Sequence, residues 1–151
     1  MKAFIIFLLL FFTSHLVSAN QQDITNKILN EYFRTNMDYE AFFITLKSSL
    51  LAGERERVAS LNSYPVRVNY PTGGVYYDSK EEFLENYDKI VKPEMLERVK
   101  EQRFNSLFYN NQGMYIGFGD IWFTGICLDG ESCKKVDIKI SSYSVLSIEK
   151  K

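Results

Sequence analysis

The sequence predicts an α+β fold in a single domain, on three observations. Apolar residues recur at helical spacing from Ile24 to about Arg103, interrupted by one hairpin pattern. Strand patterns take over after Phe104. One stretch, Gln112 to Cys127, is too rich in aromatic and β-branched residues, and too often interrupted by glycine, to be a helix. It reads as one long, bent central strand that the other elements cover or pair with.

Met1 to Ala19 has a single basic residue, Lys2, an unbroken apolar run from Ala3 to Phe12, and Val17-Ser18-Ala19 at its end. A basic start, a short apolar core and small residues before the cut are the parts of a secretory signal peptide, cleaved after Ala19. The apolar run is shorter than the roughly 20 residues that a bilayer core requires, which argues against a retained anchor. The mature domain is then residues 20–151, exported to the periplasm or the medium. No repeat, low-complexity segment or Pro/Gly/Ser linker divides it.

The whole chain carries 18 basic and 19 acidic side chains, a formal net charge of −1. That balance gives no reason to expect nucleic acid or an acidic membrane surface as a partner. The one histidine, His15, belongs to the leader. A mature chain without imidazole excludes Ser-His-Asp and Cys-His catalysis and every zinc site that needs a histidine. There is no Gly-x-x-x-x-Gly-Lys phosphate loop and no calcium-loop pattern, so no cofactor or metal is expected.

Ile24, Ile28, Leu29, Tyr32 and Phe33 predict a first helix, capped by Asp23 or Thr25. After Asn36 to Asp38, Tyr39, Phe42, Phe43, Leu46 and Leu50 trace the apolar stripe of a second helix ending at Gly53. A charged helix follows over Glu54 to Asn62 and stops at Tyr64-Pro65. Val66 to Tyr70, a turn at Pro71-Thr72-Gly73-Gly74 and Val75 to Tyr77 form a hairpin. Ser79 and Glu82 make a capping box for a helix that buries Phe83, Leu84, Tyr87 and Ile90.

Pro93 suits the first turn of the next helix, with Met95, Leu96 and Val99 inward and Glu94, Glu97, Arg98, Lys100 and Glu101 on a solvated face. Phe104 to Tyr109 is a strand, and the central strand follows a turn at Asn110 to Gly113. Lys135 to Ile140 alternates strictly, a half-buried strand, and Tyr143, Val145, Leu146 and Ile148 form a final strand or edge. Cys127 and Cys133 flank an Asp-Gly turn, and in an exported protein they form a disulfide across a hairpin end.

With Tyr64-Pro65-Val66-Arg67-Val68 after the early helices, Phe83-Leu84-Glu85-Asn86-Tyr87-Asp88 on the middle helix and Gln112-Gly113-Met114 through Trp122, the chain resembles exported bacterial members of the NTF2-like (SnoaL-like) superfamily of cone-shaped α+β domains. The resemblance covers most of Met37 to Ser147. It implies a strongly curved antiparallel sheet wrapped around the N-terminal and middle helices, a pocket at the wide end, and pairing of copies through the open sheet face. Gly117, Gly119 and Gly125 suit such curvature. Members include isomerases, dehydratases and cyclases as well as binding domains. The catalytic ones often use an Asp-His or Tyr-Asp constellation, and this mature chain has no histidine to supply.

Asp120 is the leading catalytic candidate, with Tyr115 beside it. Strict alternation would set Asp120 with Met114, Ile116, Phe118 and Trp122 on an apolar face, where a carboxylate has a raised pKa and can move a proton. A bulge at Gly117 or Gly119 would instead turn it to solvent. Arg67, Tyr70, Tyr76, Tyr77 and Trp122 are the candidate ligand-binding residues. The expected function is that of an exported, non-catalytic binding protein, holding a protein partner or a small apolar ligand in its pocket or on its sheet face. An envelope inhibitor or an immunity-type protein would fit. The alternative is a lyase or isomerase in which Asp120 moves a proton and Tyr115 polarises a carbonyl.

Overall fold

The computed structural model describes residues 24–130 and 133–146. The expected signal peptide and its cleavage point lie outside the described residues. Thr25 opens the first helix by accepting the Ile28 amide on its hydroxyl at 3.3 Å, and α1 (Asn26–Phe33) ends at Arg34, where φ is 55°. Asp38 caps α2 (Tyr39–Leu51) by accepting the Ala41 amide at 2.9 Å. That bond, and a second from the Asn26 side chain, hold the Asp38 carboxyl below its ordinary pKa. Tyr39, Phe43, Leu46 and Leu50 are buried, as their spacing predicts.

Helix α3 (Arg55–Ser60) is shorter than expected, because β1 (Asn62–Tyr70) begins before Tyr64-Pro65 and runs through it. Proline is tolerated there because the pairing of β1 with its parallel neighbour is irregular between Asn62 and Arg67, so no regular ladder bond is lost. β2 (Gly73–Tyr77) returns antiparallel to β1. Ser79 accepts the Glu82 amide at 3.2 Å, while the Glu82 carboxylate reaches the Asp78 amide at 2.8 Å, one residue further back than the usual box. The helix it starts breaks at Asn86 into α4 (Lys80–Glu85) and α5 (Tyr87–Ile90). Pro93 opens α6 (Pro93–Glu101).

Beyond α6 the sequence reading needs correction. Phe104 to Tyr109 is a single turn of tight helix, Phe104–Ser106, followed by a short β3 (Phe108–Asn110). The long central strand is two strands, β4 (Gly113–Ile116) and β5 (Ile121–Cys127), paired antiparallel. Gly117 at φ 68° and Gly119 at φ 88° reverse the chain between them, in a backbone region that glycine enters freely. The Asp120 amide donates to the Ile116 carbonyl at 3.0 Å, and its carboxylate accepts the Phe118 amide at 3.2 Å. The glycines mark a reversal rather than a bend. Of the two C-terminal strand patterns, the first from Val136 on and Tyr143 of the second belong to one strand, β6 (Val136–Ser144); Val145 and Leu146 lie past its end, and Ile148 lies outside the described residues.

These strands form a six-stranded open sheet in the order β2-β1-β6-β5-β4-β3. The sheet is mixed, not wholly antiparallel, because β1 and β6 run parallel at its middle. The fold is α+β. One face carries Val66, Val68, Met114, Ile116, Ile121, Phe123, Ile138, Ile140 and Tyr143 into the core with the helices. Phe42 meets Phe123 and Phe83 meets Tyr143, both with ring centroids 5.3 Å apart. The buried Tyr143 hydroxyl donates to the Asn62 side chain at 2.8 Å, and burial pushes its pKa well up. Cys127 and Cys133 are disulfide-bonded where β5 leads toward β6.

Candidate functional site

A bulge in β6 creates the most distinctive feature of the other sheet face. Trp122 pairs with Ser142 and Phe123 with Ile140, which leaves Ser141 as an extra residue between them. Ile140 and Tyr143 are thereby both buried, and the two serines between them line the outer face. β1 is irregular at the same level, between Asn62 and Arg67.

Across this irregularity runs one transverse row. Tyr76, Arg67, Ser142, Trp122, Tyr115 and Phe108 are successive register partners through all six strands. Phe108 stacks on Tyr115 at 4.8 Å between ring centroids, and Tyr115 meets Trp122 at 4.7 Å. At the other end the Arg67 guanidinium lies 5.9 Å from the Tyr76 ring centre. Ser142 is the one small side chain in the row, so a gap opens over β6. The result is an open groove of about 570 Å³, with Arg67, Asn69 and Tyr76 on one side, Trp122 and Gln112 on the other, and Ser141 and Ser142 between.

Arg67 is an exposed side chain with one hydrogen bond among the described residues. Its Nε donates to Asn69 Oδ1 at 2.8 Å, and Gly74 leaves it room, since a Cβ there would come within 3.1 Å of Arg67 Nε and Nη2. Among the described residues its two terminal nitrogens meet no hydrogen-bond acceptor, and no carboxylate lines the groove. A positioned guanidinium with an open edge, flanked by flat rings and by amide and hydroxyl groups, can bind an anionic or planar polar group and orient it.

The structure thus unites Arg67, Tyr76 and Trp122 and places Tyr115 next to them on the same face. Tyr70 and Tyr77 are elsewhere. Their hydroxyls bond to each other at 2.9 Å, and burial first, then that bond, raises the Tyr70 pKa.

Asp120 is fully buried, as are Met114 and Ile116, and is not turned to solvent; Phe118 is exposed and Trp122 is on the other face, and Asp120 is paired with a cation. Arg98 Nε and Nη2 each donate to one of its carboxylate oxygens at 2.6 Å. The hydrogen bond to Asp120 is the largest cause of a raised Arg98 pKa. The four-residue turn also resets the alternation: Met114 and Phe123 share the inner face, whereas Tyr115 and Trp122 share the outer one. Asp120 and Tyr115 therefore do not converge on one pocket.

Arg98 was expected on a solvated face. Its side chain is only 17 % exposed, and helical spacing cannot reveal an acid 22 residues away. Ser141, Ser142, Asn69 and Gln112 were also missed. The only signal for the serines is that they interrupt the strict alternation of Lys135 to Ile140. Among the described residues, no group of three or more His, Cys, Asp or Glu is placed to hold a metal ion, and no helix is long and apolar enough to cross a membrane. No protein-family model, no curated protein and no solved structure matches the chain.

Proposed function

We propose that the protein is an exported, non-catalytic binding domain that holds its partner on the outer sheet face, in the groove between Tyr76 and Trp122. The observation that carries this reading is Arg67, a guanidinium anchored at one edge and open at the other, within a row of rings that spans the sheet. A charge tethered in this way gives up less conformational freedom than an untethered one when a ligand arrives. Arginine and large aromatic side chains are also the residue types that dominate binding energy at recognition surfaces. Export is supported by the leader pattern in the sequence and by the disulfide. The order of elements, helices then a hairpin, further helices and consecutive strands, supports an NTF2-like assignment with a cone-like wrapping of the sheet.

The test is recovery of a partner from concentrated envelope and medium fractions, using the protein as bait beside its Arg67→Glu/Trp122→Ala variant. Native mass spectrometry on the same material detects a retained small molecule. The expected outcome is a partner recovered stoichiometrically by the wild type and lost by the variant, whose circular dichroism is unchanged. Equal recovery by both would remove the groove from consideration.

A further inference from the structure

Resting on that reading, we propose that the groove takes a carboxylated saccharide, a glycan segment bearing a uronic acid. The argument begins with the position of the groove. It lies over β1, β6 and β5, whose backbone groups are committed to the interior of the sheet. An extended peptide adding as a strand needs a free edge, and the edges here are β2 and β3. Recognition at the groove must therefore use side chains.

Those side chains have a specific composition. Two flat rings, Tyr76 and Trp122, stand on opposite sides of a floor made of serine hydroxyls, with the amides of Asn69 and Gln112 beside them. A pyranose presents a flat C–H face, which suits an aromatic ring, and a rim of hydroxyls, which suits amide and hydroxyl partners that both donate and accept. A purely apolar ligand would cover the two open nitrogens of Arg67 without offering them an acceptor, at a cost.

The charge narrows the class further. Among the described residues, Arg67 is the one charged side chain lining the groove. With Nε already spent on Asn69, the Nη1/Nη2 edge remains, and two parallel N–H groups match the two oxygens of a carboxylate. Gly74 leaves room for that edge, and the Tyr76 ring lies beside it. The groove volume of about 570 Å³ falls within the range of small-ligand sites.

Trp122 is the only tryptophan in the chain, so its fluorescence reports on the groove directly. The experiment titrates the purified protein with an oligogalacturonate, with the neutral galactose oligomer of equal length and with an oligoaspartate peptide. It follows Trp122 emission and, independently, calorimetric heat. The expected result is saturable binding of the oligogalacturonate, about tenfold tighter than that of the neutral oligomer and about tenfold weaker in Arg67→Gln. Equal affinity for the neutral oligomer, unchanged affinity in Arg67→Gln, or preference for oligoaspartate overturns the proposal. If no oligomer binds while the groove variant still loses the recovered partner, the saccharide assignment falls and the binding reading stands. If that variant keeps the partner, the binding reading falls as well.

Discussion

Arg67 and Arg98 work on opposite sides of one sheet, each close to aromatic rings, and they differ in what their nitrogens meet. Arg98 spends two donors on the buried carboxylate of Asp120, and its guanidinium lies 5.8 Å from the Phe118 ring centre, against a turn that Asp120 also ties. Arg67 spends one donor on a neutral amide and keeps its outer edge open. The first arrangement is closed on itself and fixes the reversal between β4 and β5. The second is exposed, tethered at one nitrogen and open at its outer edge. What separates the two arginines is the completeness of their pairing, not charge or a nearby ring, since both have those.

The contrast can be broken most sharply at the closed pair. Arg98→Leu leaves a buried Asp120 without its counter-charge, and Asp120→Ala leaves the guanidinium without its acceptors. Each is expected to cost about 3 kcal/mol in urea unfolding, because stranding one member of a buried pair is far worse than losing an exposed one. A loss below about 1 kcal/mol would mean that the pair is not what fixes the turn.

Two glycines sharpen the comparison at the next level. Gly117 has φ 68°, and a Cβ there would run into the Asp120 carboxylate, so Gly117→Ala should destabilise by about 2 kcal/mol. A Cβ at Gly74 instead meets the far end of the Arg67 side chain, which can swing aside. Gly74→Ala should therefore leave unfolding almost unchanged while weakening capture of the groove's partner. The smallest stability effect belongs to Arg67→Gln, expected within about 0.5 kcal/mol of wild type in the same measurement. A larger loss would make Arg67 a second structural arginine and remove the distinction.

Local chemistry was the legible part of this sequence. The caps at Thr25 and Ser79, the hairpin at Gly73 and the buried stripe of α2 follow from residues within a turn or two of each other. What was not legible depends on partners distant in the chain. Asp120 and Arg98 find each other across the packing of a helix on a turn, and the parallel pairing of β1 with β6 joins residues more than 70 positions apart. The misread central strand is instructive for a different reason. Glycine between aromatic residues is equally compatible with a bent strand and with a tight reversal, and the phase of the flanking alternation, Met114 with Phe123 rather than with Trp122, is what separates them.

For the candidate site, Arg67, Tyr76 and Trp122 were chosen for residue type alone, and the register of six strands brought them into one row. Beyond that break in alternation nothing marks the serines that open the groove, because a bulge changes which face a residue occupies without any change in composition.

The parallel join at the middle of the sheet also bears on how the molecule comes into being. Strands β1 and β2 form one ribbon, and β3, β4 and β5 another, and only β6 links them. A nascent chain that has not yet delivered Val136 to Ser144 holds two half-sheets with no shared neighbour. Its groove has one wall from each half and no floor. The groove is therefore a property of the completed polypeptide, and a molecule arrested or clipped before its last strand lacks it.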